Sequence, residues 1–172
     1  MLDERVRAVL ARLEGDLDIP PDLGRFLFAL VAPQTDCEVL EVGAGEGYAS
    51  VWLAAGVRYF GGRLLALERD GSRAAAWRRN VVDAGLDGWA ELLEGDELES
   101  LAAVDDVFDI VVLPAVGDDD QVFELARTKV EPGALLLSVG SNRVRGHDAG
   151  LLSVAVPIAG GVQLTVVLTG SL

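Results

Sequence analysis

Five times along this chain a short β-rich run stops at a glycine, an acid or a proline, and after each of the first four a stretch with helical spacing takes over. The runs are Glu38–Val42, Arg63–Leu67, Ala90–Leu93, Phe108–Leu113 and Ala134–Val139; the helical stretches between them are Tyr48–Ala55, Ser72–Ala84, Glu97–Ala103 and Asp119–Lys129. Strands that are continuously apolar, not alternating, are buried on both faces, which is the pattern of a parallel sheet covered by helices. After Gly150 the pattern changes. Leu151–Pro157 and Val162–Leu168 are separated only by Ile158–Gly161. No helix fits there, so the two runs read as an antiparallel hairpin that joins the edge of the sheet.

Two helices are expected ahead of the first strand. Asp3–Glu14 places Val6, Val9, Leu10 and Leu13 on one stripe and ends at Gly15. Past the Ile19-Pro20-Pro21 break, Asp22 is positioned to cap a helix to about Ala32, closed by Pro33. With 172 residues, no repeat and no long linker, one domain is expected over 1–172, with N-terminal helices in 1–36 and the core in 37–172. Cys37 is the only cysteine and reads as buried packing, as do Trp52, Trp77 and Trp89. No apolar stretch reaches the roughly 18 residues of a membrane span. Residues 1–15 alternate charges where a secretory signal would be basic and then apolar, so a cytoplasmic location is expected. The formal charge of −14 argues against nucleic acid as partner, despite the local cluster Arg73, Arg78 and Arg79.

The stretch Glu41-Val42-Gly43-Ala44-Gly45-Glu46-Gly47 carries the functional signal. It follows a strand and opens a helix, the place where a doubly wound sheet binds its ligand. A dinucleotide loop is spaced G-x-G-x-x-G and aims a helix at a pyrophosphate. Here the third glycine comes one residue early, and Glu41 stands two residues before the first. A carboxylate would repel pyrophosphate but suits a ligand with an ammonium and a sulfonium, as S-adenosylmethionine has. This disfavours a nicotinamide-dependent oxidoreductase. Glu68 ends the second strand, where a carboxylate can accept from ribose hydroxyls, and Asp96 follows the third, within reach of an adenine edge. The bland alternative is that the acids are solvated strand ends and the glycines only turn the chain.

These residues resemble the class I S-adenosylmethionine-dependent methyltransferases, and among them the small-molecule O-methyltransferases of the catechol and caffeoyl-CoA type. The likeness runs from about Ile19 to Thr169 and includes Pro21–Leu27, Val39–Gly47, Tyr48–Ala54, Leu67–Asp70, Glu94–Asp96 and Ala155–Ile158 with Gly161. It implies an α/β fold with a Rossmann-like doubly wound sheet, mostly parallel with a C-terminal antiparallel hairpin. It further implies that Glu41, Gly43, Ala44, Gly45, Gly47 and Tyr48 line the methionine half of the cofactor. Glu68 would hold the ribose, and Arg69, Gly95, Asp96 and Glu97 would flank the adenine.

The resemblance breaks at the chemistry. The family's metal-binding aspartate after the fourth strand falls on Pro114, its Asp-Asn pair on Ser141-Asn142, and its lysine near Gly117. Magnesium commonly needs one or two carboxylates, so no metal is expected. Asp118, Asp119 and Asp120 could shift into the gap, although a solvated loop capping the next helix is the plainer reading. His147 is the only histidine and, with Asp118, a candidate for proton transfer; a lone loop histidine is more often incidental. Two functions follow. One is methyl transfer to a small-molecule acceptor without metal. The other is a catalytically silent cofactor-binding module acting through a protein partner. About forty residues precede the loop, fewer than the family usually carries. The acceptor site is therefore expected to be open or completed by another subunit, as in a homodimer.

Overall fold

The structure is a computed structural model that describes residues 2–17, 20–114, 120–140 and 150–169. In chain order the elements are α1 (Glu4–Leu17), α2 (Pro21–Val31), β1 (Cys37–Val42), α3 (Tyr48–Val57), β2 (Gly62–Glu68), α4 (Gly71–Asp83) and β3 (Ala90–Glu94). Then come α5 (Glu97–Ala103), β4 (Phe108–Pro114), α6 (Asp120–Arg127), β5 (Val130–Val139), β6 (Leu151–Val156) and β7 (Val162–Val167). The seven strands form one sheet in the order β3-β2-β1-β4-β5-β7-β6. β1 to β5 run parallel, and β7 lies antiparallel between β5 and β6. The α/β class and the hairpin at the sheet edge match the expectation.

Alternate residues of each strand feed two cores. Val39, Leu64, Ile110, Val112 and Leu137 pack against α1 to α4. Leu40, Leu67, Val111, Leu113 and Leu136 pack against Leu101 of α5 and Phe123 and Ala126 of α6. This two-sided burial is why the strands read as unbroken apolar runs. Helix α3 is buried almost all round, between the sheet and the N-terminal helices. Helix α2 comes unusually close to it. A Cβ on Gly24 would stand 2.0 Å from Trp52 Nε1, and one on Gly56 would stand 2.2 Å from Val31 Cγ2. Each helix thus sets a large side chain into a glycine gap of the other.

Several boundaries differ from the sequence reading. Helix α1 continues through Gly15 to Leu17. One exposed glycine costs a helix roughly 1 kcal/mol, and the buried stripe Val6, Val9, Leu10 and Leu13 outweighs it. Helix α2 starts at Pro21, whose fixed φ suits a first helical position. The cap position is therefore Pro20, and Asp22 instead pairs with Arg25 at 3.3 Å. Strand β5 starts at Val130, because Val130 pairs with Phe108 ahead of a register shift. Helix α6 ends at Arg127, and the Lys129 ammonium turns to donate to the Val104 carbonyl.

Candidate functional site

The loop between β1 and α3 is built on three left-handed glycines, with φ of 74° at Gly43, 58° at Gly45 and 94° at Gly47. Any other L-residue there would be strained by roughly 1–2 kcal/mol. The loop is fixed from behind. Gly43 and Ala44 N–H donate to the Leu67 carbonyl at 2.9 and 3.0 Å. Gly45 N–H donates to Glu68 Oε2 at 2.7 Å, and Asn80 Nδ2 donates to the Glu46 carbonyl at 2.7 Å. The three glycines face different surroundings. A Cβ on Gly43 would lie 3.3 Å from Pro114 and one on Gly47 3.0 Å from Trp77, but one on Gly45 would meet nothing within 4 Å. The bare backbone at Gly45 therefore borders open space.

That space is a cavity of about 510 Å³ at the carboxyl ends of β1, β4 and β5. Its size falls within the roughly 300–1,000 Å³ of small-molecule sites. It opens beside β1, which β2 flanks on one side and β4 on the other, the switch point where open α/β sheets bind ligands. Leu23, Val112, Leu113, Pro114 and Val139 make an apolar wall. Glu41, Glu46, Tyr48, Arg73 and the glycine loop make a polar one. Gly47 caps α3 without a side-chain hydrogen bond, so no cap side chain occupies the first-turn amides of α3.

Glu41 is 4% exposed at the base of this cavity. Its Oε2 accepts from the Ser50 hydroxyl, and Ser50 Oγ accepts from Trp77 Nε1 at 2.6 Å. No hydrogen bond from the described residues reaches Oε1. Among the described residues the fully enclosed side-chain polar atom without a partner is Trp52 Nε1, so Glu41 Oε1 opens to the cavity. Burial pushes the Glu41 carboxyl up to about 8; the Ser50 bond opposes this and the nearby Glu68 charge adds to it. Tyr48 donates its hydroxyl to Glu14 Oε1 of α1 at 3.3 Å, and burial pushes the phenol up to about 12.

Glu68, 3% exposed, holds two backbone amides: Gly45 N–H on Oε2 and Asp70 N–H on Oε1 at 2.8 Å. A carboxylate has about four acceptor positions, so two remain, enough for a vicinal diol. Asp96 caps α5, its Oδ1 accepting from Leu98 and Glu99 N–H at 3.0 and 3.1 Å. Gly95 N–H donates to the Glu68 carbonyl at 3.1 Å, which ties the end of β3 to the end of β2. Arg69 and Glu97 form a loose, largely exposed pair at 3.9 Å.

The structure thus brings Glu41, Gly43, Ala44, Gly45 and Tyr48 into one cavity and ties Glu68 to it through Gly45. Gly47 lies behind the loop, against Trp77. Arg69, Gly95, Asp96 and Glu97 follow the ends of β2 and β3 and are not among the residues that line the cavity. Asp118, Asp119, Ser141, Asn142 and His147 lie outside the described residues, and Asp120 opens α6. Ser50, Trp77 and Asn80 escaped the sequence reading as site residues. The available signal was polarity in a buried helix face: Ser50 and Asn80 interrupt otherwise apolar neighbours, and both are at most 3% exposed.

A doubly wound sheet with a glycine loop, an acid beneath it and an acid at the next strand end defines a nucleoside-binding α/β domain. The model of the methyltransferase domain family matches residues 40–138, more than half of the chain, and the chain belongs to that family. Over 127 residues the chain is 27% identical to a catechol O-methyltransferase of Niastella koreensis, covering 71% of this chain and 57% of that protein. The chain spans between 32% and 57% of the length of the curated relatives it matches. A methyltransferase from Geobacter sulfurreducens superposes with a TM-score of 0.81 at 25% identity, over 97% of this chain and 90% of that one. The O-methyltransferase TomG of Streptomyces achromogenes, solved with S-adenosylmethionine, superposes at 0.73 and 22% identity, over 97% and 91%, and shares the fold. Among the described residues no helix is long and apolar enough to cross a membrane.

Proposed function

We propose that this chain binds S-adenosylmethionine at the glycine loop and transfers its methyl group to an oxygen of a small-molecule acceptor without a metal ion. The observation that carries the reading is the buried Glu41 carboxyl opening one oxygen into a cavity floored by left-handed glycines. The residues fit the cofactor part by part. Glu41 Oε1 suits the ammonium, the uncapped first turn of α3 suits the carboxylate, and the free acceptor positions of Glu68 suit the ribose diol. Asp96 Oδ2, which the helix cap leaves unused, suits the adenine amine.

When bound, the cofactor supplies an electrophilic methyl group on a sulfonium. The chain's own part is alignment and exclusion of water, for which Leu23, Val112, Leu113, Pro114 and Val139 provide an apolar wall. Pro114 stands at the end of β4 and offers no side-chain oxygen to a cation, which supports a metal-independent reaction. An acceptor acidic enough to arrive deprotonated suits such a site; His147 and Asp118 are the proposed groups for proton transfer otherwise. Calorimetry with S-adenosylmethionine and its demethylated product, in chelator, tests the reading on wild type and Glu68→Ala. Micromolar binding weakened at least tenfold by the substitution supports it, and no binding by wild type overturns it. Turnover with phenolic acceptors in the same chelator then tests metal independence, and a strict requirement for added magnesium overturns that part. Binding without turnover over a broad acceptor panel would favour the silent module instead.

A further inference from the structure

The hydrogen-bond chain behind Glu41 runs from Trp77 through Ser50 to Oε2. An indole N–H can only donate, so Ser50 Oγ accepts from Trp77, and its own proton is directed at Glu41 Oε2. In that arrangement Oε2 is an acceptor. While Oε2 accepts from Ser50, a proton that Glu41 carries sits on Oε1, the oxygen that opens to the cavity. The cavity therefore meets either a donor, Oε1–H, or an acceptor, a bare Oε1 with negative charge. The same atom serves both states, and Ser50 and Trp77 hold it in place.

We infer that Glu41 exchanges a proton when the cofactor binds: the acid loses its Oε1 proton to solvent, the resulting carboxylate accepts from the ligand ammonium, and Ser50 and Trp77 are positioning residues for that exchange. The inference rests on the proposed binding of S-adenosylmethionine. The charges around Glu41 fit it. Glu68 at the end of β2 disfavours a second negative charge in the unliganded site, and Glu46 of the loop also lines the cavity. From α4 only Arg73 brings positive charge to the cavity wall, and it is exposed. Tyr48 on α3 is neutral through the physiological range. From β4 and β5 the lining residues are Val112, Leu113, Pro114 and Val139, without charge. Burial accordingly raises the Glu41 carboxyl to about 8, and a cation seated on Oε1 reverses that cost.

The test is calorimetry at pH 7 in phosphate and in Tris, whose ionisation enthalpies differ. The dependence of the apparent enthalpy on buffer counts the protons released. Near one proton per S-adenosylmethionine is expected for wild type, falling away above pH 8. Methylthioadenosine, which lacks the ammonium, is expected to release none. Glu41→Gln keeps the shape and is expected to bind without release, its fold checked by thermal melting. Ser50→Ala and Trp77→Phe are expected to keep the release but move its midpoint to higher pH, the former more, because each removes a donor from the chain that favours the charged form. Wild-type binding with no buffer dependence, or equal release by Glu41→Gln or methylthioadenosine, overturns the inference and leaves the cofactor reading intact. An unmoved midpoint in Ser50→Ala and Trp77→Phe overturns their positioning role. No binding by wild type overturns the cofactor reading itself.

Discussion

Glu41 and Glu68 are both acids at the ends of parallel strands, both nearly inaccessible, yet their surroundings differ. Glu68 is held by two backbone amides, whereas Glu41 has one hydroxyl on Oε2 and open cavity at Oε1. The folded-state value of Glu41 lies above its unfolded value of 4.5, at about 8. Between those values the folded protein binds more protons than the unfolded chain, so stability falls as pH rises through that window. In ligand-free protein this contribution is at most about 1.4 kcal/mol per pH unit. Urea unfolding of wild type and Glu41→Gln at pH 5, 7 and 8.5 measures it. The variant is expected to gain on wild type as pH increases, and parallel pH profiles would contradict the assignment. Gly45 gives a second residue-level expectation. Gly45→Ala meets no neighbour, so its cost to folding is the left-handed backbone alone, roughly 1–2 kcal/mol by denaturation. The added methyl borders the space a ligand needs, so cofactor affinity is expected to drop more than tenfold.

At the scale of elements, the site depends on how closely α2 packs on α3. Alanine at Gly56 would raise helix propensity by roughly 1 kcal/mol. Its Cβ would also press to 2.2 Å from Val31, a buried β-branched side chain that cannot move aside. Overpacking of that kind costs about 1–3 kcal/mol, so sterics win and Gly56→Ala is expected to lower the urea midpoint. The consequence reaches the cavity, because α2 supplies Leu23 to its wall and α3 supplies Tyr48. Helix α4 acts from the other side. Trp77 and Asn80 lie on its buried face and hold the glycine loop through Ser50 and the Glu46 carbonyl. A tryptophan in an amphipathic helix reads as packing from sequence, and it does pack; its N–H also orients a carboxyl two elements away.

For the molecule as a whole, the two sheet edges differ. β3 ends the sheet on one side, and β6 ends it on the other with Leu152 45% and Val154 54% exposed. Exposed apolar residues on an edge strand invite association. Val154→Lys is expected to leave unfolding within about 0.5 kcal/mol of wild type and to reduce concentration-dependent light scattering. A larger loss of stability would mean that this edge is covered in the working protein.

The order of strands and helices was legible because the central strands are buried on both faces and the loops are marked by glycine, proline or acid. Those are local consequences of backbone sterics and burial. The glycine loop and its acids were legible for the same reason: their spacing along the chain is their spacing in the site. Contacts between residues far apart in sequence were not. Nothing in the local sequence tells Ser50 that Trp77 will donate to it, or tells Gly45 that Glu68 will accept from it. Nor does it show that Glu41 will be buried enough to hold its proton near neutral pH. The sequence by itself determined the alternating pattern, the left-handed turns and the identity of the acids. The tertiary structure alone decided which oxygen of Glu41 faces the cavity and which amides Glu68 holds, because hydrogen bonding and desolvation arise only when distant segments pack together.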